Sequence, residues 1–212
     1  MPLETQAIEI DSDAPLLLVD VDEVIGQFMA GFERFLVPKG FEMRITRFAL
    51  FESIFALGSA QSITTEQGLA LHEAYFRTDA EFMDPVPGAA AVLAGLAGHS
   101  TIVILTNAPS FGRDGRQRWL ARQGFPYPMV VNSGPKGPMA AVLAAKTSKS
   151  VAFIDDLLPN LDSVANAVPG VRCFQHVADE RLRPFAYSAP DRHPRIDDWS
   201  QLGPVLERAL GI

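Results

Sequence analysis

LLLVDVDEV, residues 16–24, opens with four consecutive apolar residues and turns acidic at Asp20 and Asp22. An apolar run without alternation suits a strand covered on both faces, as when helices pack on either side of a parallel sheet. TIVILT (101–106), PMVVN (128–132) and VAFID (151–155) have the same form, and VRCF (171–174) is a fifth. Amphipathic stretches stand around and between them: AAAVLAGLAGH, GRQRWLARQGF, PMAAVLAAKT and PNLDSVANAV. This alternation predicts an α/β fold, a doubly wound (Rossmann-like) parallel sheet core, with a last helix around Gln201 to Leu210. Parallel strands deliver their carboxyl ends to one edge, where ligands bind.

One interval breaks the rhythm. Positions 21–100 separate the first strand from the second, far more than the dozen or so residues of a single crossover. Within it, residues 28–83 carry nine of the 14 phenylalanines and one proline, Pro38, with helical spacing at Phe28, Phe32, Phe35 and Leu36. The turn-forming DPVPG at 84–88 closes the stretch. The expected division is a core domain of residues 1–27 and 84–212 with an inserted helical cap domain, residues 28–83. The aromatics of the insertion read as its own apolar centre. Arg34, Arg44, Arg47 and Arg77 read as surface residues, any one of which is available to a substrate anion.

The chain has 212 residues, 48% hydrophobic and 20% charged, which fits a globular protein with a substantial core and excludes wholesale disorder. Its net charge of -7, with no basic run, disfavours nucleic acid as a surface ligand. No apolar run reaches the roughly 18 residues of a membrane span, and the acidic opening MPLETQAIEIDSD lacks the form of a signal peptide. Cys173 stands alone in an apolar stretch, in agreement with a reducing compartment. A cytoplasmic protein that engages no membrane is expected. Nothing in the sequence fixes an oligomeric state. The four histidines, His72, His99, His176 and His193, are scattered without metal-ligand spacing.

Chemistry concentrates at the strand ends. The first strand runs into Asp20 and Asp22, and the second ends at Thr106 with Asn107 beyond it. Lys136 follows the third, and the fourth ends at the pair Asp155 and Asp156, with Asn160 downstream. Two carboxylates about 4 Å apart at an effective dielectric near 20 repel by roughly 4 kcal/mol, so this many at one edge calls for a cation. A set of oxygen ligands, few in number and completed by water and phosphate, suits Mg²⁺. Lys136 and the Thr106 hydroxyl then fit as partners of phosphate oxygens, with Asn107 beside them.

The ordered set DVDEV, ILTN, Lys136 and FIDDLLPN resembles the haloacid dehalogenase-like (HAD) superfamily, over about residues 15 to 175. That family's pattern is DxDx[TV] after an apolar strand, a Thr or Ser ending another strand, a Lys, and an acidic pair followed by Asp or Asn. The resemblance implies that Asp20 is a nucleophile that accepts the phosphoryl group as an aspartyl-phosphate. It implies that Asp22 protonates the leaving oxygen and then deprotonates the attacking water. It also implies that Asp20, the backbone carbonyl of Asp22, and Asp156 hold Mg²⁺, with Asp155 and Asn160 in support. Asp156 is preferred to Asp155 because Asn160 lies four residues after it. The insertion falls where this superfamily places its C1-type cap, a lid that excludes water and selects the substrate. The implied activity is a Mg²⁺-dependent phosphatase, a hydrolase of phosphoric monoesters acting on a small phosphorylated metabolite.

One residue departs from the pattern. Glu23 stands where such phosphatases usually have glycine, directly after the acid/base. It motivates an alternative, a catalytically weak HAD-like protein that binds a phosphorylated ligand or a protein partner.

Overall fold

A computed structural model describes residues 8–212; the first seven residues, part of the acidic opening stretch and of the expected core domain, lie outside them. Five parallel strands form one sheet in the order β5-β4-β1-β6-β7. They are β1 (Leu16–Val19), β4 (Thr101–Thr106), β5 (Met129–Val131), β6 (Val151–Asp155) and β7 (Arg172–Gln175). All five fall on the apolar runs read from the sequence.

The two faces are built by alternation. Leu17, Val19, Ile104 and Ile154 pack on one side with Leu93, Trp119, Leu202 and Leu206; Leu16, Leu18, Val103 and Phe153 pack on the other with Met139, Leu143, Leu161 and Val164. The covering helices are α3 (Ala89–Leu96), α4 (Arg113–Arg122) and α7 (Trp199–Leu210) on the first side, with α5 (Gly137–Ala144) and α6 (Leu158–Ala167) on the second. Burying a Val, Leu, Ile or Phe side chain contributes about 1.5–3 kcal/mol, so these two layers dominate the stability of the core. Register fixes the functional edge: Val19 lies opposite Ile104 on one side and Ile154 on the other, so Asp20 leaves the sheet between β4 and β6.

The stretch 28–83 holds two helices, α1 (Phe28–Leu36) and α2 (Thr65–Thr78). Between them runs a two-stranded antiparallel sheet of β2 (Phe41–Met43) and β3 (Ile54–Ala56), which the all-helical reading did not include. Three-residue strands are shorter than the window over which periodicity distinguishes strand from helix, and phenylalanine suits both. Helix α2 opens with a capping box in which the Thr64 hydroxyl accepts from the Gln67 backbone N–H and the Gln67 side chain accepts from the Thr64 N–H. The aromatic centre of Phe28, Phe32, Phe35, Tyr75 and Phe76 continues into Ala108, Val177 and Leu182 of the core. The insertion therefore packs directly on the loops beyond β4 and β7.

The two crossings between insertion and core run side by side. The Gln27 N–H donates to the Asp84 carbonyl at 2.9 Å, and the Trp119 indole donates to the Met83 carbonyl at 2.7 Å. A β-carbon at Gly26 would fall on the Met83 methyl and require that side chain to move. Among the described residues, no helix is long and apolar enough to cross a membrane.

Candidate active site

Asp20, Asp155 and Asp156 converge: one carboxylate oxygen from each lies within 4.8 Å of the others. Asp20 comes from the residue after β1, and the pair from the end of the adjacent β6. Lys136 completes the cluster, with Nζ 2.7 Å from Asp20 Oδ1 and 2.6 Å from Asp155 Oδ2. It reaches them because α5 lies close to α6. A β-carbon at Gly137 would collide with the Ser163 carbonyl, and the Gly137 N–H instead donates to the Ser163 hydroxyl at 3.0 Å.

Asp155 is saturated. Besides Lys136 it accepts from the Leu157 N–H at 2.9 Å and from the Asn160 amide at 3.0 and 3.2 Å. Asn160 thus supports Asp155, the residue five before it in the chain, and Asp156 shares none of these partners. The charge state follows from burial and crowding. Burial pushes the Asp20 carboxyl up to about 7; Lys136 pulls it down, while Asp155 and Asp22 push it further up. Burial, then the charges of Asp155, Asp20 and Glu23, holds Asp156 well above the usual carboxylate range. Burial would lower the Lys136 ammonium, but Asp155 and Asp20 outweigh it and keep it charged. Asp155 is committed to Lys136, Leu157 and Asn160, which leaves Asp20 and Asp156 as the carboxyls open to a further cation, and a cation there would favour their ionised forms. That donor set of oxygens fits a hard divalent cation.

Of the other predicted residues, Asp22 and Asn107 line the cavity above this centre, and Thr106 does not. Asp22 lines the same cavity, yet its carboxylate is not one of the clustered three. It is held by Arg116, whose Nη2 donates to both oxygens at 2.7 and 2.9 Å. Asn107 lines the cavity as well, with its amide donating to the Gly134 carbonyl and its oxygen accepting from Asn132. Thr106 is fully buried at the end of β4, and its hydroxyl has no partner among the described residues. A buried hydroxyl left unpaired costs about 1–3 kcal/mol, which makes an acceptor such as a phosphate oxygen a favourable neighbour.

Glu23 shows what backbone the position after Asp22 requires. Its φ is +59°, the left-handed region that favours glycine, and it is the one non-glycine residue in that state among those described. The side chain is buried and turned onto backbone donors: Oε1 accepts from Met29 N at 2.8 Å and Oε2 from Asp179 N at 2.7 Å. Burial pushes its carboxyl up to about 7 against the pull of those two hydrogen bonds.

Sequence reasoning missed three features. Arg116 sits in GRDGR, which reads only as a turn before a helix, and its partner lies 94 residues away. His72 lines the cavity from α2, on the face that carries Phe76 one turn later, a spacing that was available to mark it. Phe28 and Phe48 also line the cavity, a second role beyond the apolar centre to which the insertion's aromatics were assigned.

The described fold is that of the haloacid dehalogenase-like hydrolases. The HAD-hydrolase YfnB from Bacillus subtilis, solved bound to magnesium, is similar with a TM-score of 0.62 at 17% identity, over 92% of this chain and 99% of that one. A protein from Lactobacillus delbrueckii subsp. bulgaricus assigned as a phosphoglycolate phosphatase gives 0.60 at 14% identity, over 96% and 100%. The haloacid dehalogenase-like family protein SP0104 from Streptococcus pneumoniae gives 0.59 at 11%, over 92% and 99%. No protein-family model and no curated protein matches the chain.

Proposed function

We propose that this protein is a Mg²⁺-dependent phosphatase that hydrolyses a small phosphate monoester through an aspartyl-phosphate on Asp20. The observation that carries the reading is the meeting of Asp20, Asp155, Asp156 and Lys136 at one sheet edge, under a cavity closed on its far side by the insertion. The likeness to hydrolases that include an assigned phosphatase supports it.

The Asp20 carboxylate attacks phosphorus while the bond to the ester oxygen breaks, and Asp22 gives that oxygen a proton. Asp22 then takes a proton from a water that attacks the same phosphorus, which frees Asp20 and releases phosphate. Arg116 fixes where the Asp22 carboxylate stands. Lys136 and Asn107, both on the cavity lining, are the groups at hand for the phosphoryl oxygens; the Thr106 hydroxyl is proposed as a third on the resemblance alone. Asp20, Asp156 and the Asp22 carbonyl would hold the cation, with Asp155 in support; when bound it supplies positive charge that offsets the repulsion between the carboxylates and a phosphate dianion. Residues 28–83 serve as the cap that excludes water and selects the ester.

A panel of phosphomonoesters, assayed with and without EDTA, tests the reading. Turnover that requires Mg²⁺ and disappears in Asp20→Asn is expected. Turnover that is independent of metal, or undiminished in Asp20→Asn, would overturn it.

A further inference from the structure

The cavity above Asp20 has a volume of about 270 Å³, slightly below the roughly 300–1,000 Å³ usual for small-molecule sites. Its walls divide sharply. The floor holds the reactive groups already described. The remaining wall is built from Phe28, Met29, Phe48 and Leu50 of the insertion together with Leu157 and Leu182 of the core.

Among the described residues, the only cation lining that surface is Lys136, and two carboxylates already claim it. The four arginines of the insertion expected to be available to a substrate anion do not line the cavity. Arg34 pairs with Asp84 at 2.5 Å, Arg47 with Glu52 at 2.6 Å and Arg77 with Glu73 at 2.7 Å, and Arg44 pairs with Glu42, all at the surface. Arg116 lies beneath the site and is committed to Asp22. His72 is the one polar side chain that the insertion contributes. Its ring packs against Phe76 with centroids 4.8 Å apart, and burial lowers its basicity below the ordinary imidazole value, so near neutrality it offers a hydrogen bond and no charge. A bound cation next to Asp20 and Asp156 neutralises charge at the phosphoryl end and leaves the far wall as it is.

We propose that the alcohol portion of the substrate is uncharged and largely apolar, and that esters with a second anionic group are excluded. This substrate class rests on the phosphatase reading and refines it. A carboxylate or second phosphate would have to leave water against phenylalanine, methionine and leucine, with no cationic partner on that wall and only the neutral His72 to replace its hydration. An apolar group of similar size gains burial at the same wall. His72 is placed to pair with a single hydroxyl or other neutral polar atom of that group.

Matched esters measured with the Mg²⁺-loaded protein decide the matter. Benzyl phosphate and 4-methylbenzyl phosphate are expected to have similar kcat/KM, and 4-carboxybenzyl phosphate a value lower by roughly tenfold or more. Leu50→Arg and, independently, Ala49→Arg place a cation on the wall and are expected to raise the 4-carboxybenzyl ester relative to benzyl phosphate. Equal or faster turnover of the carboxylated ester by the unaltered protein overturns the substrate class and leaves the phosphatase reading standing. Absence of turnover with all three esters and with the broader panel overturns both.

Discussion

Glu23 offers the sharpest test of the physical reasoning, because two opposing forces act on one buried carboxyl. Its two oxygens accept backbone N–H bonds from Met29 and Asp179, which favour the charged form; burial disfavours that form and wins, holding the group at about 7 against an ordinary 4.5. The sign follows from linkage. Below pH 4.5 both the folded and the unfolded chain carry the proton, and the group makes no difference. As pH rises toward 7 the unfolded chain ionises while the folded one does not, so folding stability falls; above 7 both are ionised and the loss is complete. At about 1.4 kcal/mol per pH unit, the full difference is about 3 kcal/mol, of which roughly 2 to 3 lies between pH 5 and 8. Glu23→Gln cannot ionise and supplies the reference. Urea unfolding of both proteins at pH 5, 6, 7 and 8 measures the effect. The stability of wild type relative to Glu23→Gln is expected to fall by that amount across the range. A relative stability that is flat or rises with pH would show that the two N–H bonds outweigh burial, and the account of this loop would be wrong.

Three further outcomes are expected. Lys136→Met strips the ammonium from two buried carboxylates and is expected to destabilise the fold by about 3–5 kcal/mol in urea melts, with partial recovery on adding Mg²⁺. Saturating Mg²⁺, at about 100 times its Kd, is expected to add about 3 kcal/mol of stability to wild type, read as a rise in Tm that Asp156→Ala largely abolishes. Arg116→Met leaves the clustered carboxylates untouched, so Mg²⁺ binding by calorimetry is expected to persist while kcat drops by roughly tenfold to a hundredfold as Asp22 loses its fixed position.

The core was legible because a parallel sheet imposes an unusual demand on its sequence. Strands such as β1 and β6 are buried on both faces, so LLLV and VAFI stand out as continuous apolar runs, and the first polar residue after each marks the functional edge. Shared strand direction then brings Asp20 beside Asp155 although 135 positions separate them. The insertion obeyed no such rule. Its phenylalanines suit helix, strand and cavity wall alike, and nothing local announced β2 or β3 or set Phe48 apart from Phe51 as a lining residue. Arg116 and the Asp179 partner of Glu23 were illegible for a different reason: each is a contact between segments far apart in the chain, chosen by packing and invisible to any spacing rule.

The Glu23 departure acquires meaning from where its hydrogen bonds end. Met29 belongs to the first turn of α1, beside Phe28 on the apolar wall; Asp179 belongs to the loop beyond β7, near Leu182 on the same wall. Glycine at this position would satisfy the left-handed backbone but would leave the Met29 and Asp179 N–H groups without this acceptor. The glutamate therefore accepts backbone strain of about 1–2 kcal/mol and ties the loop bearing Asp20 and Asp22 to both parts of the apolar cavity wall. In the proposed reading the reacting groups and the substrate wall are thus joined through one side chain, and a change at Glu23 is expected to act on both.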